Sequence, residues 1–137
     1  MKRFALIGCG IGYTRSPFIH SKIVKRAGAD LDTVYDVFDI PPQELPERIE
    51  YIKQNCDGFN VTKPYKTEIV KYLDRLDKSA DTTGAVNTAA RRPNGKWIGY
   101  NTDGAGFADS LAYHKIDLRN KNALILGAGG AARIDIQ

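Results

Sequence analysis

The stretches "NALILGAGGAAR" (122–133) and "RFALIGCGIGYTRSP" (3–17) both run an apolar strand into a cluster of glycines. A strand, a glycine turn and a helix start are the local form of a dinucleotide-binding loop, whose fingerprint is G-x-G-x-x-G/A. The later stretch satisfies it with Gly127, Gly129 and Ala132. Ala128, Gly130 and Ala131 keep that turn slim, so that backbone N–H groups can approach a pyrophosphate at the helix N-terminus. A plain tight strand–helix turn is the alternative. The earlier stretch fails at the third position, where Gly8 and Gly10 are followed by Tyr13, a side chain that would hold a helix off its strand. It offers hydroxyls instead. Thr14 and Ser16 flank Arg15 directly before a helix start marked by Ser16-Pro17. Two hydroxyls, free amides and the positive end of a helix dipole suit a carboxylate. Ser16 as an ordinary N-cap is the competing reading, and local pattern does not choose between them.

Outward from these two stretches, strand and helix alternate. Phe4 to Gly8 reads as a buried strand. The helix after Ser16 shows Ile19, Ile23 and Ala27 on one stripe and stops at Gly28. "TVYDVFDI" (33–40) is a second strand, and 41–55 is helical along Leu45, Ile49 and Ile52, with Pro46 in its first turn. "DGFNV" is a third strand, and 62–76 reads as a helix with Tyr65, Ile69, Tyr72, Leu73 and Leu76 inward. A short helix spans 79–83. The runs flanking Pro93-Asn94-Gly95 predict a hairpin, 103–114 a helix, and 122–127 one more buried strand. The fold class is α/β, with a largely parallel sheet and one hairpin. Residues 122–137 alone cannot bury a core, so they read as the stub of a second domain.

Composition narrows the function classes. The net charge is +4 with the lysines scattered, which gives no basic stripe for nucleic acid. No apolar run approaches the roughly 18 residues of a membrane span, and the N-terminus does not read as a signal peptide. A cytoplasmic protein acting on a small molecule is expected, without nucleic acid or membrane as partner. Cys9 and Cys56 lack metal-ligand spacing and read as small packed thiols, while His20 and His114 read as surface or packing residues. No metal site is expected.

Five motifs in order, "TRSPFIH" (14–20), "NVTKPYK" (60–66), "GAVNT" (84–88), "GYNTDG" (99–104) and "GAGGAAR" (127–133), resemble the shikimate dehydrogenase family. The resemblance covers nearly the whole chain up to Arg133. It implies a three-layer substrate domain over 1–102, a connecting helix over 103–118 and the truncated start of an NADP-binding Rossmann domain over 119–137. It implies NADPH-dependent, reversible reduction of 3-dehydroshikimate to shikimate, in the chorismate route to aromatic amino acids. By the same resemblance Thr14 and Ser16 hold the substrate carboxylate, and Asn60, Thr62, Asn87 and Asp103 contact its ring hydroxyls. Lys66 is the catalytic lysine, and Gly127 to Ala131 seat the cofactor.

Local chemistry runs beside the resemblance. Lys66 in the first turn of a helix would meet the positive dipole end, with Lys63 adding like charge, and both favour a neutral amine able to move a proton. Both lysines extending into water is the alternative. Asp103 reads as the N-cap of the last helix, a role compatible with holding a hydroxyl and an ammonium, so that Lys66 and Asp103 titrate together. Asn60, Thr62 and Asn87 sit where neutral donors could read a polyol, or are satisfied structural residues. Three features depart from the family pattern. Gly10, Tyr13 and Thr14 replace the usual proline, histidine and serine, and the added Thr14 methyl could retune the site toward quinate. Tyr65 stands where histidine or phenylalanine is common and reads as packing. The ending "IDIQ" continues the nucleotide domain poorly, so the chain alone is expected to bind NADP weakly and turn over little or nothing. A non-catalytic shikimate- or quinate-binding module and a quinate/shikimate dehydrogenase are the alternatives.

Overall fold

The computed structural model describes residues 1–28, 32–122, 124 and 126. In chain order the elements are β1 (Lys2–Gly8), α1 (Ser16–Arg26), β2 (Thr33–Asp39), α2 (Leu45–Asn55), β3 (Gly58–Val61), β4 (Arg75–Leu76), α3 (Lys78–Thr83), β5 (Thr88–Arg91), β6 (Trp97–Tyr100) and α4 (Asp103–Tyr113). Short 3-10 turns precede α2 at Pro42–Glu44 and β4 at Glu68–Tyr72. The strands make one six-stranded sheet in the order β2-β1-β3-β5-β6-β4. β1 pairs in parallel with β2 and β3, and β4 with β6, while β5 runs antiparallel to β3 and β6. The α/β class and the mostly parallel sheet match the sequence reading, and the β5–β6 hairpin turns at Gly95, whose φ is +81°.

Strand alternation sends side chains to two unlike faces. On one, Ala5, Ile7, Phe59, Val61, Ala89 and Trp97 pack against Leu45, Ile49 and Ile52 of α2, with Tyr65, Ile69 and Ala80 closing the core. Leu45, Ile49 and Ile52 are fully buried, as their spacing predicts. The opposite face carries Phe4, Leu6, Tyr35, Asn60 and Thr88 under α1. A groove of about 460 Å³ remains there, with Pro17, His20 and Val24 of α1 along it.

Four expectations are corrected. The helix over 62–76 is instead a tight turn, a 3-10 segment and β4. Pairing decides this: the Asp74 N–H donates to the Trp97 carbonyl and the Asp77 N–H to that of Gly99. The β-branched Thr67, Ile69 and Val70 oppose it only weakly, being poor helix formers. The Ile19–Ile23 stripe faces outward, at 51% and 54% exposure. The loop before α1 sets its roll, since Asp39 accepts the Gly10 and Ile11 N–H groups at 2.7 and 2.9 Å. His20 then stacks on Tyr35 with ring centroids 4.3 Å apart. Ser16 is the first helical residue and Arg15 the N-cap, because the Ser16 N–H is taken by the Thr14 hydroxyl at 3.2 Å. Asp103 likewise opens α4 behind Thr102 as N-cap, its N–H donated to the Asn101 side-chain oxygen at 3.0 Å. Leu124 and Leu126, expected inside a buried strand, are 84% and 88% exposed and belong to no strand, since no neighbouring strand among the described residues offers them a ladder. The cofactor loop Gly127, Ala128, Gly129, Gly130 and Ala131, and the Rossmann stub with it, lie outside the described residues.

Candidate active site

The ends of β3 and β5 and the start of α4 converge on one ion pair. Lys66 Nζ lies 2.6 Å from Asp103 Oδ2, with both side chains about one-third exposed. Lys66 leaves the turn after β3, a turn pinned from both sides. The Val86 N–H donates to the Lys66 carbonyl at 2.7 Å, and the neighbouring Tyr65 ring is fully buried with its hydroxyl donating to the Ile40 carbonyl at 2.6 Å. No α-helix begins at Lys66, so the dipole expected to act on its amine has no source there. The direct neighbour of its ammonium is the Asp103 carboxylate.

Asp103 is held in turn. Its Oδ1 accepts from Asn87 Nδ2 at 2.6 Å. The Asn87 side-chain oxygen accepts the Thr102 N–H at 3.1 Å, which fixes the orientation of that amide. Asn101, the one buried polar residue among the described residues, donates to the Ala85 carbonyl at 3.0 Å and to the Thr83 hydroxyl at 3.2 Å while accepting the Asp103 N–H. A carboxylate with one oxygen on an ammonium and the other on an amide is fixed in direction.

A second cluster stands at the opening of α1. The Thr14 hydroxyl donates to Ser16 Oγ at 3.1 Å, which brings the two predicted carboxylate hydroxyls together. Between the clusters lies Asn60 on β3. Its Nδ2 donates to the Asn87 carbonyl at 3.3 Å and to Thr88 Oγ1 at 3.1 Å, and its Oδ1 accepts from the Tyr35 hydroxyl at 2.8 Å. Thr62 is placed by close packing: a Cβ on Gly8 would come within 2.7 Å of its methyl. That contact explains the glycine at the end of β1 and keeps the Thr62 side chain beside the glycine loop. The Lys63 ammonium lies over the Tyr13 ring, 5.7 Å from its centroid.

The structure therefore joins Lys66, Asp103 and Asn87 directly, links Asn60 to them through the Asn87 carbonyl, and pairs Thr14 with Ser16. Sequence reading missed Asp39, Asn101 and Tyr35. Asp39 ends a strand opposite Gly8, a position from which a carboxylate can hold a glycine loop. Asn101 stands two residues before Asp103, which starts α4. Tyr35 carried no local signal, since its partner is 25 residues away. Burial pushes the Tyr35 phenol up to about 12, offset in part by the Ser16 hydroxyl. Burial also lowers the His20 imidazole, offset in part by Asn60. Among the described residues no group of three or more His, Cys, Asp or Glu side chains is gathered to hold a metal ion, and no helix is long and apolar enough to cross a membrane.

A family model described as the shikimate dehydrogenase substrate binding domain matches residues 6–89. The chain belongs to that family. It is 45% identical over 135 residues to the NADP(+) shikimate dehydrogenase of Shouchella clausii, covering 96% of this chain and 48% of that protein. It is 47% identical over 133 residues to that of Nitrosopumilus maritimus, again covering 48% of it. Among solved structures, shikimate 5-dehydrogenase from Thermus thermophilus in complex with NADP(H) and shikimate superposes with a TM-score of 0.88 at 36% identity, over 98% of this chain and 50% of that one. The chain thus spans about half the length of the relatives it matches. The match on 6–89 covers Thr14, Ser16, Asn60, Thr62, Lys66 and Asn87, and Asp103 lies beyond it.

Proposed function

We propose that this chain is the substrate-binding and proton-transferring half of an NADP-dependent shikimate dehydrogenase, acting in the cytoplasm on a small cyclic hydroxy acid. The observation that carries the reading is the 2.6 Å contact of Lys66 with Asp103, reachable from solvent and steadied by Asn87. Thr14 and Ser16 supply hydroxyl donors for a carboxylate. Asn87 and Asp103 stand beside the amine, where a ring hydroxyl would be read. Asn60 contributes by holding β3 to β5, and Thr62 by its place against Gly8.

In the reduction of 3-dehydroshikimate, NADPH, when bound, supplies the hydride that goes to the carbonyl carbon. Its seat over 127–131 lies outside the described residues, so no step is assigned to that loop. The Lys66 ammonium gives a proton to the carbonyl oxygen as that oxygen gains charge, which yields the hydroxyl of shikimate. Asp103 keeps the ammonium aimed and balances its charge. In the oxidative direction the neutral amine takes the hydroxyl proton back.

Titration calorimetry of the chain with shikimate and quinate tests the reading. Shikimate is expected to bind, and Asp103→Ala to weaken it. Tighter binding of quinate would move the assignment to a quinate-preferring enzyme, as the Thr14 methyl allows. Absence of binding for both acids would sink the reading. In a catalytically complete protein, Lys66→Ala is expected to lower kcat by roughly 10²–10⁴-fold. Undiminished turnover would remove Lys66 from the mechanism.

A further inference from the structure

Tyr35 is outside both clusters and yet touches the residue between them. Its hydroxyl donates to Asn60 Oδ1 at 2.8 Å, and its ring stacks on His20 at 4.3 Å with planes 23° apart. Ser16, one of the two paired hydroxyls, neighbours the same phenol. A neutral amide has two donor hydrogens and one acceptor oxygen. At Asn60 both donors are spent on Asn87 and Thr88, and the oxygen is held by Tyr35. Asn60 is thereby locked in a single orientation, and its Nδ2 in turn holds the Asn87 carbonyl. Asn87 carries the amide that fixes Asp103.

We propose that Tyr35 is a positioning residue of the substrate cleft, fixing Asn60 and neighbouring Ser16 so that the hydroxyls at α1 and the Lys66–Asp103 pair keep a common register. The proposal rests on the functional reading above for the identity of the ligand. Its structural core, Tyr35 acting through Asn60, stands apart from it. The aromatic stack explains why a tyrosine can do this from an edge strand. His20 covers one face of the ring and leaves the hydroxyl one direction to point, across β1 toward β3. Phenylalanine would keep the stack and the volume and would lose only the hydroxyl.

The test is Tyr35→Phe in the 137-residue chain, read in two ways. Without ligand, the side-chain amide protons of Asn60 are followed by NMR. They are expected to shift and to exchange with solvent roughly tenfold faster in the variant, the change expected for one lost buried hydrogen bond. Unchanged Asn60 signals would overturn the proposal whatever the ligand. With shikimate, affinity is expected to fall roughly tenfold, and by no further factor when Tyr35→Phe is added to Asn60→Ala. Full additivity of the two substitutions, or wild-type affinity in Tyr35→Phe, would overturn it as well. A merely structural role predicts a lower melting temperature without this non-additivity. Should the wild-type chain itself fail to bind shikimate, the functional reading falls, and the Asn60 signals alone decide whether Tyr35 holds the amide.

Discussion

The two faces of the sheet are built from the same six strands and differ in almost every other respect. The face under α2 is sealed and apolar, mixing Phe59, Trp97 and Tyr65 with aliphatic side chains, and none of the candidate site residues belongs to its core. The face under α1 mixes Phe4 and Leu6 with Tyr35, Asn60 and Thr88, keeps an open groove, and leaves every residue of α1 short of full burial. One face fixes the strands in space, and the other spends its positions on polar groups that those strands aim.

The contrast can be broken by matched substitutions. Ile49→Ala on the sealed face should cost about 2–5 kcal/mol, the range for truncating a fully buried isoleucine. Ile23→Ala on the outer side of α1 should stay within about 0.5 kcal/mol. Urea melts of the two variants decide the matter, and equal losses would mean that α1 is covered in solution.

Tyr65→Phe sharpens the same picture from inside the sealed face. It leaves the Ile40 carbonyl without its donor and should cost about 1–3 kcal/mol. A melt indistinguishable from wild type would show that carbonyl to be satisfied some other way.

A smaller effect separates the two ends of the strands. The Lys2 ammonium at 2.7 Å, and then the Arg3 N–H, hold the Asp57 carboxyl below the usual carboxylate range. A depressed folded value stabilises the fold above the unfolded value of about 4 and is lost as pH falls through the folded one. Asp57→Asn should therefore lower the melting temperature slightly at pH 7, and the difference should vanish as pH falls through the folded value. A difference that persisted in acid would assign the effect to something other than charge.

Much of this fold was legible because its signals are short-ranged. The Leu45–Ile49–Ile52 stripe, the Asn-Gly hairpin and the apolar run of β1 each state their structure within a dozen residues. The segment 62–76 was misread because its helical period is real but weaker than the backbone pairing of Asp74 and Asp77 with β6, which lies more than 20 residues away. The stripe on α1 was legible as a stripe and not as a direction, because periodicity reports amphipathicity and not which way a helix rolls. Here the loop tied down by Asp39 and the stack of His20 on Tyr35 decide the roll. At the site, the motif positions of Lys66, Asp103 and Asn87 could be named in advance, and their contacts could not. The N-caps slipped by one residue, and Asn101 and Tyr35 remained invisible because they act through partners distant in sequence.

The anchoring of α4 has a mechanical consequence. This helix buries none of its residues, and its first residue, Asp103, is tied to Asn87 and Asn101. An 11-residue helix is about 16 Å long. If it swings by about 10° about that tethered end, its far end near Tyr113 travels roughly 3 Å, while Asp103 barely moves. The ion pair sits at the fulcrum of a lever, so whatever displaces the outer end of α4 leaves the geometry between Lys66 and Asp103 almost untouched.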